Sequence, residues 1–261
     1  MDITTITSVF SALIYGAVTG SFINAAAMRT VSGKKWWGTE RSCCDSCGKL
    51  LTPCELIPVV SYLLQGGKCR SCGAKIPARH LWAEVISSLS AGIIVYRLGL
   101  SWASIFSLAM LPYLLFHSLT DIEEQYIYDA WTYAMAITGL LLRIPGGVPA
   151  LIDGVLGAAS GFLVIYLICR LSRGGMGFGD ALIMLGAGAF FGLKLSFVVL
   201  YGAFLTGGVL SVILLALKKV TRKTPLPLAP FFAVSALVTV LYGNEITAPF
   251  ILLSPLSWPW F

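Results

Sequence analysis

The sequence predicts an all-α polytopic membrane protein of about eight transmembrane helices, with one small zinc-ribbon-like loop domain on the cytoplasmic side. Three observations carry that prediction. Of the 261 residues, 57% are hydrophobic and 11% charged, and the mean hydropathy of +0.85 lies outside the range of soluble domains. The charges fall between long uncharged runs, as a chain with the bilayer as its main solvent requires. Six of the seven cysteines are confined to residues 43–72, inside the one long polar loop.

The first apolar run covers residues 3–28 and has no Lys or Arg before it, so it lacks the basic start of a cleaved signal peptide and is expected to be retained. The polar loop, residues 29–84, follows. Seven more runs then come at about 82–96, 98–120, about 126–142, 154–169, 181–193, 195–217 and 224–244. The runs at 82–96 and 181–193 are short for a span, and the break at Arg97 is also compatible with one bent hairpin. The domain reading is therefore 1–28 as first helix, 29–84 as four-cysteine loop domain, and 85–261 as a multi-span core.

Orientation follows from Lys and Arg, which collect in cytoplasmic loops. With the first helix running inward, fifteen of the eighteen basic residues lie inside, and only Arg97, Arg143 and Lys194 lie outside. This topology is built without reference to acids, yet it places both Asp121 and Asp180 on the cytoplasmic side. The Lys34-Lys35-Trp36-Trp37 cluster and Trp258 with Trp260 read as headgroup-level anchors. The net charge of +6 reflects topology and membrane lipid, not nucleic acid, because no basic stripe is interleaved with aromatics.

Within the loop, Cys44-Asp45-Ser46-Cys47 and Cys69-Arg70-Ser71-Cys72 form two CxxC pairs, each followed directly by a glycine, Gly48 and Gly73. Two such knuckles supply four thiolates to a tetrahedral Zn2+. Disulfides are the competing reading, and the reducing side on which topology places the loop disfavours them. A closed four-sulfur site is structural and leaves no position for substrate. Cys43 and Cys54 are spare thiols, and Cys169 reads as a small buried side chain.

Asp121 and Asp180 each stand where an uncharged run meets water, and Asp180 closes the string Gly174-Gly175-Met176-Gly177-Phe178-Gly179-Asp180. Either aspartate alone reads equally well as a helix cap, and Asp129 likewise. Jointly they suggest peptide hydrolysis by a carboxylate pair. Like-charge repulsion keeps one proton on such a pair; the charged member activates water while the protonated one hydrogen-bonds the scissile carbonyl. Gly177 and Gly179 leave the backbone open to an extended substrate. A cation-coupled transporter is the alternative; it calls for internal repeats and mid-membrane acids.

Several features together resemble the bacterial prepilin peptidases, the leader peptidase/N-methyltransferases of the GxGD intramembrane aspartic protease class. They are Gly20-Ser21-Phe22-Ile23-Asn24 ahead of Arg29, the paired CxxC loop with Ile57-Pro58 and Ser61-Tyr62, Asp121 with Asp129, Gly177-Phe178-Gly179-Asp180, and Pro227-Leu228-Ala229-Pro230-Phe231. The resemblance implies cleavage of type IV prepilins or type II secretion pseudopilins after a Gly, at the cytoplasmic face of the inner membrane. It also implies S-adenosyl-L-methionine-dependent methylation of the new N-terminal residue, and it puts Asp121 and Asp180 in the catalytic positions. Two residues depart from the family pattern: Tyr128 replaces a usual Pro, and Leu182 a usual Lys, whose loss removes a cation from beside the acids. Gly20 and Ser21 read as helix-packing residues, and no cofactor fingerprint locates a methyl-transfer site.

Overall fold

The computed structural model describes residues 2–37, 41–172, 176–221 and 224–247. Gly174 and Gly175 of the glycine string, Arg222 with Lys223, and Trp258 with Trp260 lie outside the described residues. Among those described, the chain is helical, with two isolated antiparallel bridges. The helices are α1 (Ile3–Val31), α2 (Val60–Leu64), α3 (Ala78–Leu98), α4 (Trp102–Glu124), α5 (Asp129–Leu142), α6 (Gly147–Leu171), α7 (Phe178–Ala216) and α8 (Ala229–Thr247).

Among the described residues, five stretches are long and apolar enough to cross a membrane: Ile3–Val31, Ala78–Leu98, Trp102–Glu124, Asp129–Leu171 and Phe178–Ala216. Five candidate spans thus stand where the charge gaps predict eight. Ala229–Gly243 is apolar but shorter. The long fourth and fifth stretches each absorb two predicted runs, because tight turns rather than polar loops interrupt them. Ile144–Gly146 is a single 3-10 turn, and α7 merely breaks at Gly192, where φ is 71°. At Arg97 the chain forms two separate helices. Gly99 ends α3 in a left-handed turn, and the Ser101 hydroxyl caps α4 by accepting from the Ser104 amide at 3.2 Å.

The chain divides into two compact units, residues 1–99 and 100–261. In the first, α1 packs on α3 through glycines four apart. A Cβ on Gly16 would lie 2.7 Å from Ser88 Cα, and one on Gly20 would lie 2.6 Å from the Ala83 carbonyl oxygen. Small residues at this spacing let two membrane helices approach backbone to backbone, as the sequence suggests for Gly20. α1 runs on to Val31, and α3 starts at Ala78, after Pro77, with the cysteine loop between them. Its inner part is tied down by Glu84, which is buried and accepts the Val59 amide at 2.6 Å. That bond holds Val59 at φ 64°, a left-handed conformation that β-branched residues rarely adopt.

In the second unit α7 is central and packs against α5, α6 and α8. Its break carries a buried ion pair. Arg143, expected in an outer loop, is fully buried and pairs with Asp153 at 3.0 Å. Its guanidinium donates to the carbonyls of Ala189 and Phe190, each at 2.8 Å, and of Ala150 at 3.1 Å. Asp153 accepts the Leu193 amide at 3.1 Å. Arg143 therefore satisfies the open C-terminal carbonyls of the first limb of α7 while Asp153 caps the start of the second, so each charge meets the favourable end of a helix dipole.

Candidate active site and metal centre

Asp121 lies in the last turn of α4 and is buried. Its Oδ2 accepts the backbone amide of Ala229, the first residue of α8, at 2.8 Å, and the Leu228 amide also faces it. The open N-terminus of α8 thus supplies the donors. A strap holds that N-terminus in place. Gln125, in a left-handed turn after α4, donates its Nε2 to the Pro225 carbonyl at 3.0 Å.

Asp180 is the third residue of α7, with Gly177 as the N-cap; its carboxylate reaches back to the Gly177 amide. An acid at this position satisfies an otherwise unpaired donor of the first turn. The cap role that the sequence allowed Asp180 thus falls to Gly177. Asp129 is likewise not the cap of α5: Tyr128 is, and Asp129 sits one position inside.

Both carboxylates line one cavity of about 910 Å³, and they interact electrostatically. The cavity is walled by the 125–129 turn, the Gly177–Gly179 loop, the second limb of α7 and the 225–231 strap. The structure therefore brings together two acids that the sequence holds on separate helices. Asp129 and the departing residue Leu182 also line the cavity, Leu182 being buried and Asp129 exposed.

The two glycines of the loop have different reasons to be glycine. A Cβ on Gly179 would stand 2.8 Å from both Cβ and Cγ1 of Ile127, itself buried against the loop. One on Gly177 would meet the Asp180 carboxylate at an ordinary 3.6 Å. Gly179→Ala is therefore expected to displace Asp180 and lower peptide cleavage by more than about tenfold, whereas Gly177→Ala keeps the loop in place; a misplacement near 1 Å suffices for such losses. Equal activity of the two variants, measured on the same substrate, would remove Ile127 from this account.

In the first unit, the Sγ atoms of Cys44, Cys47, Cys69 and Cys72 all lie within 4.8 Å of one another, with Cys44 and Cys72 at 3.9 Å. Tetrahedral zinc with Zn–S near 2.3 Å needs sulfurs about 3.8 Å apart, so the four thiols fit it. The two knuckles repeat one backbone pattern. Cys44 and Cys69 donate their amides to Lys49 and Ala74, and accept from Gly48 and Gly73, whose φ values are 69° and 71°. The bridges Cys43 to Leu50 and Lys68 to Lys75 close the two small hairpins. The amides of Cys72 and Ser71, with help from the Cys44 and Cys72 thiols and against burial, lower the Cys69 thiol to about 6, favouring the thiolate that metals bind. Cys43 and Cys54 stand outside the cluster.

Comparison with known proteins matches two family models, in turn, along the chain. The sequence model of the Bacterial Peptidase A24 N-terminal domain matches residues 14–98, and that of the Type IV leader peptidase family matches residues 108–212. A protein of Aeromonas salmonicida, named prepilin leader peptidase/N-methyltransferase, is 31% identical over 79% of this chain and 73% of its own. This chain belongs to the type IV leader peptidase family. Relatives with the same name in Pseudomonas aeruginosa and Bacillus subtilis are 28% and 29% identical, covering 93% and 91% of this chain and 93% and 96% of theirs. No solved structure matches. The comparisons give the transporter alternative no support.

For a leader peptidase, the positioning groups matter as much as the acids, and the sequence does not disclose them. Nothing local marks the Ala229 amide as a partner of Asp121; the only available signal is the pair Pro227 and Pro230, which brackets a helix start. Ile127 and Gln125 carry no motif at all. Cys169 is only half-buried, and its thiol donates to the Gly177 carbonyl at 3.2 Å, so it braces the glycine loop of this leader peptidase and does not simply fill space.

Proposed function

We propose that this chain is a membrane-embedded aspartic endopeptidase. It removes the basic leader of type IV prepilins or type II secretion pseudopilins at the cytoplasmic face of the bacterial inner membrane, and N-methylates the new N-terminal residue. The observation that carries the peptidase reading is the meeting of Asp121 and Asp180 in one cavity, each carboxylate backed by the amides of a helix N-terminus.

That arrangement suits hydrolysis. Two acids close enough to interact favour holding one proton between them, and backbone amides hold each carboxylate in place. The ionised member takes a proton from water as it attacks the scissile carbonyl. The protonated member donates a hydrogen bond to the carbonyl oxygen and then a proton to the leaving amine. The pair titrates as a unit, so the roles belong to the dyad and not to one residue.

Cys44, Cys47, Cys69 and Cys72 would hold a structural Zn2+, which when bound stabilises the loop domain. Cys44→Ser with Cys72→Ser is expected to lower bound zinc severalfold and to destabilise residues 32–77. Full metal retention, measured by elemental analysis, would show Cys43 or Cys54 standing in as ligands.

The methyl-transfer activity, with S-adenosyl-L-methionine as donor, is supported by the double name that the relatives carry. One experiment tests both activities: incubate the purified protein with a candidate prepilin and a labelled methyl donor, and follow leader loss and methyl incorporation by mass. Leader loss with methyl gain is the expected result. An intact precursor across several prepilins and pseudopilins overturns the peptidase reading, and leader loss without label overturns the second activity alone.

A further inference from the structure

The catalytic cavity does not end at the acids. Its wall includes Phe204, Gly207, Gly208 and Ser211 of the second limb of α7, and a second concavity of about 390 Å³ continues from it along the same limb. The two share Phe204 and Gly208. The remaining lining of the second, Leu205, Val209, Val212 and Ile213, is apolar and exposed.

Gly208 is the informative residue. The other glycines of this limb serve the protein's own packing: a Cβ on Gly207 would lie 3.3 Å from Phe231, and one on Gly202 would strike Ser235, both residues of α8. A Cβ on Gly208 would meet nothing within 4 Å. A glycine inside a helix costs about 1 kcal/mol relative to alanine, and no contact among the described residues explains it here. Phe204, Gly208 and Val212 form one ridge at four-residue spacing, with the glycine as a notch between two large side chains. Such a notch admits the backbone of another helix, and in lipid close approach at small residues is what drives helix association.

We infer that this notched face of α7 is the docking surface for the apolar segment of the precursor, received as a single membrane-spanning helix packed against Phe204, Gly208 and Val212. The inference rests on the leader-peptidase reading, which supplies a substrate whose apolar segment must leave the cavity. Continuity of cavity and groove argues for this occupant over lipid, because a peptide held at Asp121 and Asp180 passes onto the groove through the two shared residues.

The test places a photo-crosslinking amino acid at Val212 and, for comparison, at Leu167, an exposed apolar position on α6, in the Asp180→Asn protein co-expressed with a prepilin. The expected result is an adduct from position 212 that maps to the prepilin's apolar segment, with none from 167. In parallel, Gly208→Leu is expected to raise KM for the full-length precursor at least tenfold with a smaller change in kcat. Adducts from 212 to phospholipid alone, or equal prepilin adducts from both positions, overturn the proposal. So does an unchanged KM in Gly208→Leu. Wild-type protein assayed alongside separates the two ideas: leader removal without the adduct sinks only the docking surface, while absence of leader removal sinks the peptidase reading and the surface with it.

Discussion

Asp121→Asn and Asp180→Asn are each expected to lower leader cleavage by about two to four orders of magnitude, the scale of a lost general acid or base, while leaving the protein folded in the membrane. The fold survives because asparagine keeps the shape and one carbonyl-type acceptor. In the first variant that oxygen still receives the Ala229 amide, and in the second it still reaches the Gly177 amide. Chemistry is lost because an amide neither accepts a proton from water nor donates one to a leaving amine. Each variant should therefore match the wild type in thermal unfolding and still retain precursor. Measurable turnover in either, in a preparation free of endogenous peptidase, would show that the acids only cap helices.

Arg143→Met should destabilise the protein by about 3 to 5 kcal/mol, the usual cost of removing one member of a buried pair. The change strands Asp153, whose side chain is only 20% exposed, and leaves the carbonyls of Ala150, Ala189 and Phe190 without their donor. Replacing both partners, Arg143→Met with Asp153→Leu, removes the stranded charge but not the unsatisfied carbonyls or the Leu193 amide. The double variant should consequently recover only in part and remain about 1 to 3 kcal/mol below wild type. Unfolding in detergent micelles reads both. Full recovery in the double variant would mean that the helix break needs no capping and that the pair merely neutralises itself.

The Arg143 result illustrates why some of the molecule was closed to sequence reading. A basic residue between apolar runs counts as an outer-loop charge in any topology rule. Here it is drawn inside because the break at Gly192 leaves carbonyls that only a donor from another helix can reach. The same break explains why two predicted runs, 181–193 and 195–217, become one candidate span. A turn made by one glycine at φ 71° carries no polar segment, although the lone charge of Lys194 separates two apolar runs in the sequence.

The cysteine cluster lay near the opposite extreme. Two CxxC pairs with following glycines specify both the candidate ligands and the turns that aim them, and the four sulfurs stand close together. Local chemistry suffices there, because each knuckle is built from neighbours in the chain.

By itself, then, the sequence determined the helical class and singled out the cysteine quartet and two candidate acids, since hydropathy, spacing and ionisable side chains in an apolar chain are properties of short segments. Only the tertiary structure decided that Asp121 borrows the N-terminus of α8, that Ile127 forbids a side chain at position 179, that Arg143 belongs to the core, and that Gly208 faces outward. Those facts depend on which helices become neighbours. Such neighbours are chosen by packing across long separations, which no local pattern records.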